Sequence, residues 1–336
     1  MDKTLQAALI RDWDRLSDED KEGLEIEQFV ESWTDQLVTS NLPEFKLRCL
    51  QSSKETEASE RQFANEMVEQ YASAFDSLSL FVEYCCSVGE RCFVNQDLSS
   101  LQYVLGRSHA KSCLVAREIL LLLKQGYAEA AVSRWRTLFE VNVISKFIEM
   151  HGDECATLFI EHLEIDLMKY IRERNECSEK LGWAAVSESE FNEQQLKYEQ
   201  LKEKYGKNFA KGYGWASSFI GLGNPNFKDL SKAAGFEHWF TVYKTSSYSV
   251  HSSYVGLLST NAIGRINEEM LLAGQSALGL VNPAQWMAIS FKQVTTRLLL
   301  NMDAPELLAD VKALGLLLDE TVKILVKGLP HDTQKV

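Results

Sequence analysis

The sequence predicts an all-α protein: a helical bundle with an N-terminal helical hairpin and a projecting, charged helical arm. Three observations predict it. Long stretches without Pro or Gly space their apolar residues three and four apart, which is the helical period. No run alternates apolar and polar residues with period two, as a half-buried strand would. Only five prolines interrupt 336 residues.

Each element follows from that spacing. Residues 3–38 carry one stripe of Leu5, Leu9, Trp13 and Leu16, a Ser17-Asp-Glu-Asp start signal, and a second stripe of Phe29, Trp33 and Leu37. Two stripes separated by a cap read as a helical hairpin. Asn41, Pro43 and several serines place a hinge within 39–56, so 1–56 forms the hairpin unit and 57–336 the main bundle. One helix is expected at about 57–93 (Phe63, Met67, Tyr71, Phe75, Leu78) and another at 98–125, stopped by Gly126. The densest apolar helix spans 127–150. His151-Gly152-Asp153 ends it, and a fourth helix starts near Glu154. Residues 176–205 turn charged and Gln-rich, break near Gly182-Trp183 and read as the arm, a solvated face. Residues 206–236, rich in Gly, Asn and aromatics, read as an irregular loop. Helices return at about 237–262, 267–301 and 304–328, with Gly279 and Asn282-Pro283 interrupting the second.

Composition narrows the function classes. Apolar residues make up 45% of the chain and charged residues 25%, an ordinary globular mixture. Asp and Glu outnumber Lys and Arg 48 to 35, so the mean field repels phosphate backbones, and RNA or nucleotide contact is expected only at a local basic patch. Seven cysteines, including the adjacent Cys85 and Cys86, fit neither a disulfide framework nor a CxxC knuckle and read as reduced core thiols. The apolar runs near 120–123 and 294–300 are too short to span a bilayer, and the N-terminus has no signal-peptide core. A cytoplasmic protein with no membrane partner and no cofactor is expected. A protein partner or homo-oligomer is expected from the many apolar helix faces, although no heptad run specifies one.

Two stretches carry candidate chemistry. In residues 126–148, Arg136 and Glu140 fall inside the apolar arc of the helical wheel with Val143, Ile144 and Phe147, while Arg134 lies outside it. The plainer meaning of this pair is an ion pair that locks helix register; the functional one is a ligand or catalytic site, since buried opposite charges cost free energy unless satisfied. In residues 238–257, Tyr243, Ser247 and His251 follow at i, i+4 spacing, and Tyr254 continues the face. Hydroxyls and an imidazole on one stripe can donate to an anion or act as general acid and base. Equally, a helical histidine can be a satisfied core residue.

These residues carry a resemblance. The run Ala130-Ala-Val-Ser-Arg134-Trp-Arg136-Thr-Leu138-Phe139-Glu140, the His151-Gly152-Asp153 end and the later Ser247-x-x-x-His251 resemble an uncharacterised bacterial family of helical proteins known only as a domain of unknown function, over roughly 75–265. By that resemblance, Arg134, Arg136, Glu140 and His251 are the positions to carry over. Such proteins are distantly similar to helical ribonucleases and nucleotidyltransferase partners of toxin and phage-defence systems. No histidine here follows an arginine by four to six residues, so an RNase site would have to unite Arg136 and His251 from different helices.

Metal chemistry finds little footing. No histidine has a glutamate three residues before it, as a ferritin-like site needs, and Glu161, His162 and Asp166 read as an exposed salt-bridged face. Gly221-Leu-Gly223-Asn-Pro lacks the Lys-Ser/Thr of a phosphate loop and reads as a turn. The expectation is a bacterial stress or phage-defence protein whose Arg136, Glu140 and His251 are catalytic, with Arg134, Tyr243 and Ser247 binding a phosphate-bearing ligand and no metal. Its sharpest form is a metal-independent RNase-like effector; the alternative is a non-enzymatic interaction or regulatory scaffold.

Overall fold

The computed structural model describes residues 3–22, 24–93, 97–248, 250–251, 254 and 273–330, and among these every regular element is a helix. The protein is all-α, as its periodicity predicts. Contacts divide the chain into two units, Met1–Phe63 and Ala64–Val336.

The first unit holds α1 (Lys3–Asp14), the one-turn α2 (Asp18–Lys21) and most of α3 (Ile26–Gln70), whose last turns belong to the second. The Ser17 side chain accepts from the Asp20 N–H and caps α2. Trp13 meets Phe29 edge-on at 4.8 Å, and Trp33 Nε1 donates to Asp12 Oδ2 at 3.1 Å, so the two apolar stripes face each other. The hinge expected within 39–56 is absent, because α3 runs through it. Pro43 removes one backbone donor. In the turn before it, Asn41 Nδ2 and Ser40 Oγ donate to the Leu37 carbonyl at 2.7 and 3.1 Å, and the helix continues to Gln70.

The second unit holds α4 (Ala72–Glu90), α5 (Ser100–Lys124), α6 (Ala128–Glu161), α7 (Leu163–Leu181), α8 (Glu188–Tyr205), the short α9 (Ser217–Ile220), α10 (Phe227–Ala233) and α11 (Phe240–Thr245), then α12 (Val281–Leu300) and α13 (Leu307–Gly328). Helix α5 packs along α6; α12 lies against α4, α5 and α6; and α13 covers α4 and α12. Phe75, Leu78, Phe81, Leu105, Ile119, Leu123, Leu138, Phe139, Phe147 and Phe291 are fully buried between them. Burying a side chain of this size contributes roughly 1.5–3 kcal/mol, so this layer supplies most of the drive to fold.

Two glycines fix geometry that other residues would not permit. Gly152 (φ 72, ψ −158) breaks α6 where the His-Gly-Asp signal predicts, in a region of backbone space essentially closed to side chains. The neighbouring Asp153 Oδ1 then accepts from the Leu101 N–H at 2.8 Å and caps the start of α5. At Gly89 an added Cβ would lie 2.0 Å from the His109 ring, so only glycine lets that buried imidazole sit against α4.

Three boundaries differ from the sequence reading. Residues 206–236 are short helical turns plus α9 and α10 instead of an irregular loop, since Asn226 and Asp229 form a capping box that starts α10. Of the helix expected at 237–262, α11 covers Phe240–Thr245, turns follow at 246–248 and 250–251, and Tyr254 is again helical; residues 249, 252–253 and 255–262 lie outside the described residues. The helix expected from 267 begins at Val281, because Gly279 takes a positive φ and Pro283 fits only a first turn; residues 267–272 lie outside the described residues. The charged segment pairs as expected, α7 against α8, with Gln194 Nε2 donating to the Glu164 carbonyl at 3.0 Å and Arg172 Nη2 to Gln195 Oε1 at 2.8 Å.

Candidate functional site

Helix α6 turns every fourth residue to the same face, so Arg136 and Glu140 project together, and Tyr243 of α11 is set between them. Arg136 Nη2 donates to Tyr243 Oη at 2.9 Å, and that hydroxyl donates to Glu140 Oε1 at 2.5 Å. The direct Arg136 Nη2 to Glu140 Oε1 separation is 4.0 Å. The buried ion pair read from the helical wheel is therefore a relay through a phenol. Arg136 is largely buried, its side chain 14% exposed, but Glu140 is 40% exposed. The wheel placed Glu140 too deep because the arc it occupies is covered by the small α11, not by a long helix.

Aromatic rings hold the relay in place. Phe139, Phe227 and Phe240 surround the Tyr243 ring at centroid distances of 5.6, 4.8 and 5.7 Å, and the Arg136 guanidinium lies 4.6 Å over the same ring. Contact of this kind adds a cation–π attraction to the hydrogen bond. Burial, and then the hydrogen bond to Glu140, hold the Tyr243 phenol above its ordinary pKa, so it is a proton donor at neutral pH. Tyr213 lies within electrostatic reach of Glu140 and Tyr243; its pKa is pushed up to about 12, chiefly by burial. Arg136 Nε is buried with no acceptor among the described residues.

The other candidates fall elsewhere. Arg134 pairs with Glu118 of α5 and donates to Thr137 Oγ1 at 3.3 Å, on a different face from the relay. Ser247 Oγ donates to the Tyr243 carbonyl at 3.1 Å, a local bond that turns its hydroxyl back on its own backbone. His251 sits exposed in a turn, its N–H donating to the Ser247 carbonyl at 2.9 Å, and Tyr254 is also exposed. Among the described residues no polar contact joins the His251 ring to Arg136, Tyr243 or Glu140. Helix α11 ends at Thr245, and turns at 246–248 and 250–251 stand where the sequence placed one continuous helical face. The structure thus unites Arg136, Glu140 and Tyr243, and leaves Arg134, Ser247 and His251 outside the relay.

Sequence reasoning also missed a second polar cluster on α6. Arg297 of α12 is buried, and its Nη1 donates to Ser145 Oγ at 2.7 Å and Asn142 Oδ1 at 3.2 Å, while Nε lies 3.3 Å from Glu149 Oε2. Lys146 Nζ and Asn301 Nδ2 donate to the two Glu149 oxygens at 2.7 and 3.2 Å. Burial lowers the Arg297 pKa to about 10, so it stays charged at neutral pH. The signal was an arginine among leucines in VTTRLLL.

His162 Nε2 donates to the Lys211 carbonyl at 2.9 Å, and its Nδ1 lies 3.3 Å from Asp166 Oδ2. Both residues help line a cleft of about 440 Å³ with Arg107, Lys111, Ile144 and Trp215. Glu161 is engaged by Lys204 at 3.1 Å. Among the described residues no group of three or more His, Cys, Asp or Glu side chains is arranged to hold a metal ion, and no helix is long and apolar enough to cross a membrane.

No curated protein and no solved structure matches the chain. Residues 102–267, which include Arg136, Glu140 and Tyr243, match the model of a family of unknown function, DUF5677.

Proposed function

We propose that the Arg136–Tyr243–Glu140 relay is a binding site for a phosphate-bearing ligand, with Arg136 as the anion clamp and the Tyr243–Glu140 pair handling a proton. The observation that carries this is the Arg136 guanidinium, largely buried, with one hydrogen bond to Tyr243 and an Nε–H that has no acceptor among the described residues. A buried donor without a partner costs free energy, and an oxyanion accepting from Nε and a remaining Nη proton would satisfy it in the bidentate geometry arginine favours.

The sharper form of the reading is metal-independent cleavage of RNA. Glu140 takes the proton of the attacking 2′-hydroxyl, Arg136 neutralises the charge that grows on the phosphoryl oxygens, and Tyr243 gives a proton to the departing 5′-oxygen. His251 is the competing acid, held in the exposed turn eight residues beyond Tyr243. A bacterial stress or defence setting rests on the sequence resemblance alone. The test is incubation of the protein with a single-stranded RNA oligonucleotide in chelator. Products ending in a cyclic phosphate, abolished by Arg136→Gln and Tyr243→Phe but kept by His251→Ala, are expected. Loss in His251→Ala alone would move the acid role to the turn, and absence of cleavage would reduce the site to a binding function.

The second reading is a helical interaction module. It is favoured by the exposed apolar side chains of α3, where Phe45, Leu47 and Leu50 face solvent. Sedimentation of the wild-type chain against a Phe45→Ser, Leu47→Ser, Leu50→Ser variant checks it: a smaller particle in the variant supports association through α3, and equal sedimentation removes the argument.

A further inference from the structure

The cleft of about 440 Å³ beside His162 opens between α5, both limbs of α6 and the start of α7, and none of its lining residues belongs to the relay. Helix α5 turns Tyr103, Arg107 and Lys111 toward it at i, i+4 and i+8. Val141 and Ile144 come from α6 before the Gly152 break, and Phe159 and Ile160 from after it. Trp215 closes edge-on against Phe159, ring centroids 5.0 Å apart. The walls are therefore largely apolar, with two cations along the α5 side.

The charges of the cleft do not cancel. The carboxylate that lines it, Asp166, is already engaged: Nδ1 of the buried His162 lies 3.3 Å from Asp166 Oδ2, and Lys169 Nζ donates to Oδ1 at 3.2 Å. The cations are not. Among the described residues neither Arg107 nor Lys111 makes an ion pair, and the Arg107 guanidinium rests 5.1 Å over the Tyr103 ring, a cation–π contact that favours its place at the cleft. The chain as a whole carries a net charge of −13, so its mean field opposes an anion. At physiological ionic strength that field is screened beyond ~8 Å, and inside that range the free cations decide the sign.

We propose that this cleft binds a small anionic amphiphile, an alkyl or aryl carboxylate, with its apolar body along Val141, Ile144 and Phe159 and its carboxylate held by Arg107 and Lys111. Each part follows from the lining. Apolar walls with a few convergent polar groups are the usual make-up of a small-molecule site, and the volume falls within the range of roughly 300–1,000 Å³ that such sites occupy. Removing the apolar body from water supplies affinity, and charge-assisted hydrogen bonds to the two cations set its orientation. A cationic ligand of the same shape would meet two like charges and gain nothing from Asp166, whose oxygens already have donors.

The test is calorimetric titration of the full-length protein with decanoate, below its micelle concentration, and with decyltrimethylammonium, which offers the same chain with the opposite charge. Saturable one-to-one binding of decanoate and none of the cation are expected. The double variant Arg107→Gln, Lys111→Gln, at two exposed positions, should weaken decanoate by roughly tenfold or more with the thermal midpoint unchanged. Leu163→Asp places a further acid on the exposed rim at the first position of α7, and is expected to weaken decanoate as well while the fold is kept. Absence of saturable decanoate binding, equal binding of the two amphiphiles, or unchanged affinity in the double variant would overturn the proposal.

Discussion

Two arginine–glutamate clusters meet on helix α6, one with both residues on it and the other pairing its Glu149 with Arg297 of α12, and they differ in how they are satisfied. At Arg297 and Glu149 the guanidinium is buried with acceptors in Asn142, Ser145 and Glu149, and each Glu149 oxygen has a donor, so the hydrogen bonds between α6 and α12 are mutually satisfied. At Arg136 and Glu140 the guanidinium has one phenolic acceptor, its Nε has none among the described residues, and the carboxylate is partly open to solvent. Closed networks specify a packing arrangement, whereas open ones leave hydrogen-bonding capacity for something else. The same residue types, each glutamate on α6, therefore favour a structural role in one place and the proposed binding role in the other.

The contrast breaks first at Glu149. Glu149→Ala leaves the Arg297 charge buried without its counter-ion and is expected to cost ~3 kcal/mol in urea unfolding. Adding Arg297→Met should recover most of that loss, because an apolar pair of similar volume no longer needs a partner. A loss well under 1 kcal/mol for Glu149→Ala would show that the network is not structural.

Acid sharpens the comparison through a third buried polar group, His109, which neither cluster contains. Burial lowers its pKa from 6.5 to about 4. Between those values the unfolded chain binds a proton that the folded chain refuses, so stability is retained above the upper value and falls as pH drops through the window. The slope from this one group approaches ~1.4 kcal/mol per pH unit. His109→Gln should flatten the pH dependence of unfolding across that window; an unchanged slope would mean the imidazole protonates freely in the folded protein.

Smaller effects are expected at the open cluster. Tyr243→Phe keeps the ring among Phe139, Phe227 and Phe240 but deletes both hydrogen bonds, at about 1 kcal/mol of stability. Glu140→Gln, at a partly exposed carboxylate, should change the unfolding midpoint least of all, by under ~0.5 kcal/mol, while still removing the proton acceptor. If either variant unfolds the protein as Glu149→Ala does, the relay belongs with the structural network.

How far the sequence discloses this depends on the range of the interaction. Helices were legible because their period is local, and the α6 break was legible because Gly152 flanked by His and Asp has few other uses. Arg136, Glu140 and Tyr243 were each legible as candidates. Their arrangement through the Tyr243 hydroxyl was not, since Tyr243 lies more than a hundred positions away and no spacing rule reaches that far. His251 illustrates the converse: i, i+4 spacing places residues on one face only while the helix lasts, and α11 ends at Thr245. The Asn142–Arg297 contact likewise arises from packing of α6 on α12, which composition does not encode.

The most direct test of the binding role is calorimetric titration of the wild-type protein and Arg136→Gln with inorganic pyrophosphate, alongside thermal unfolding of both. The relay as a phosphate site predicts saturable binding by the wild type and none by the variant, with closely similar unfolding midpoints. Equal binding by both proteins, or none by the wild type together with a large loss of stability in the variant, would contradict it and place Arg136 with Arg297 as a structural residue.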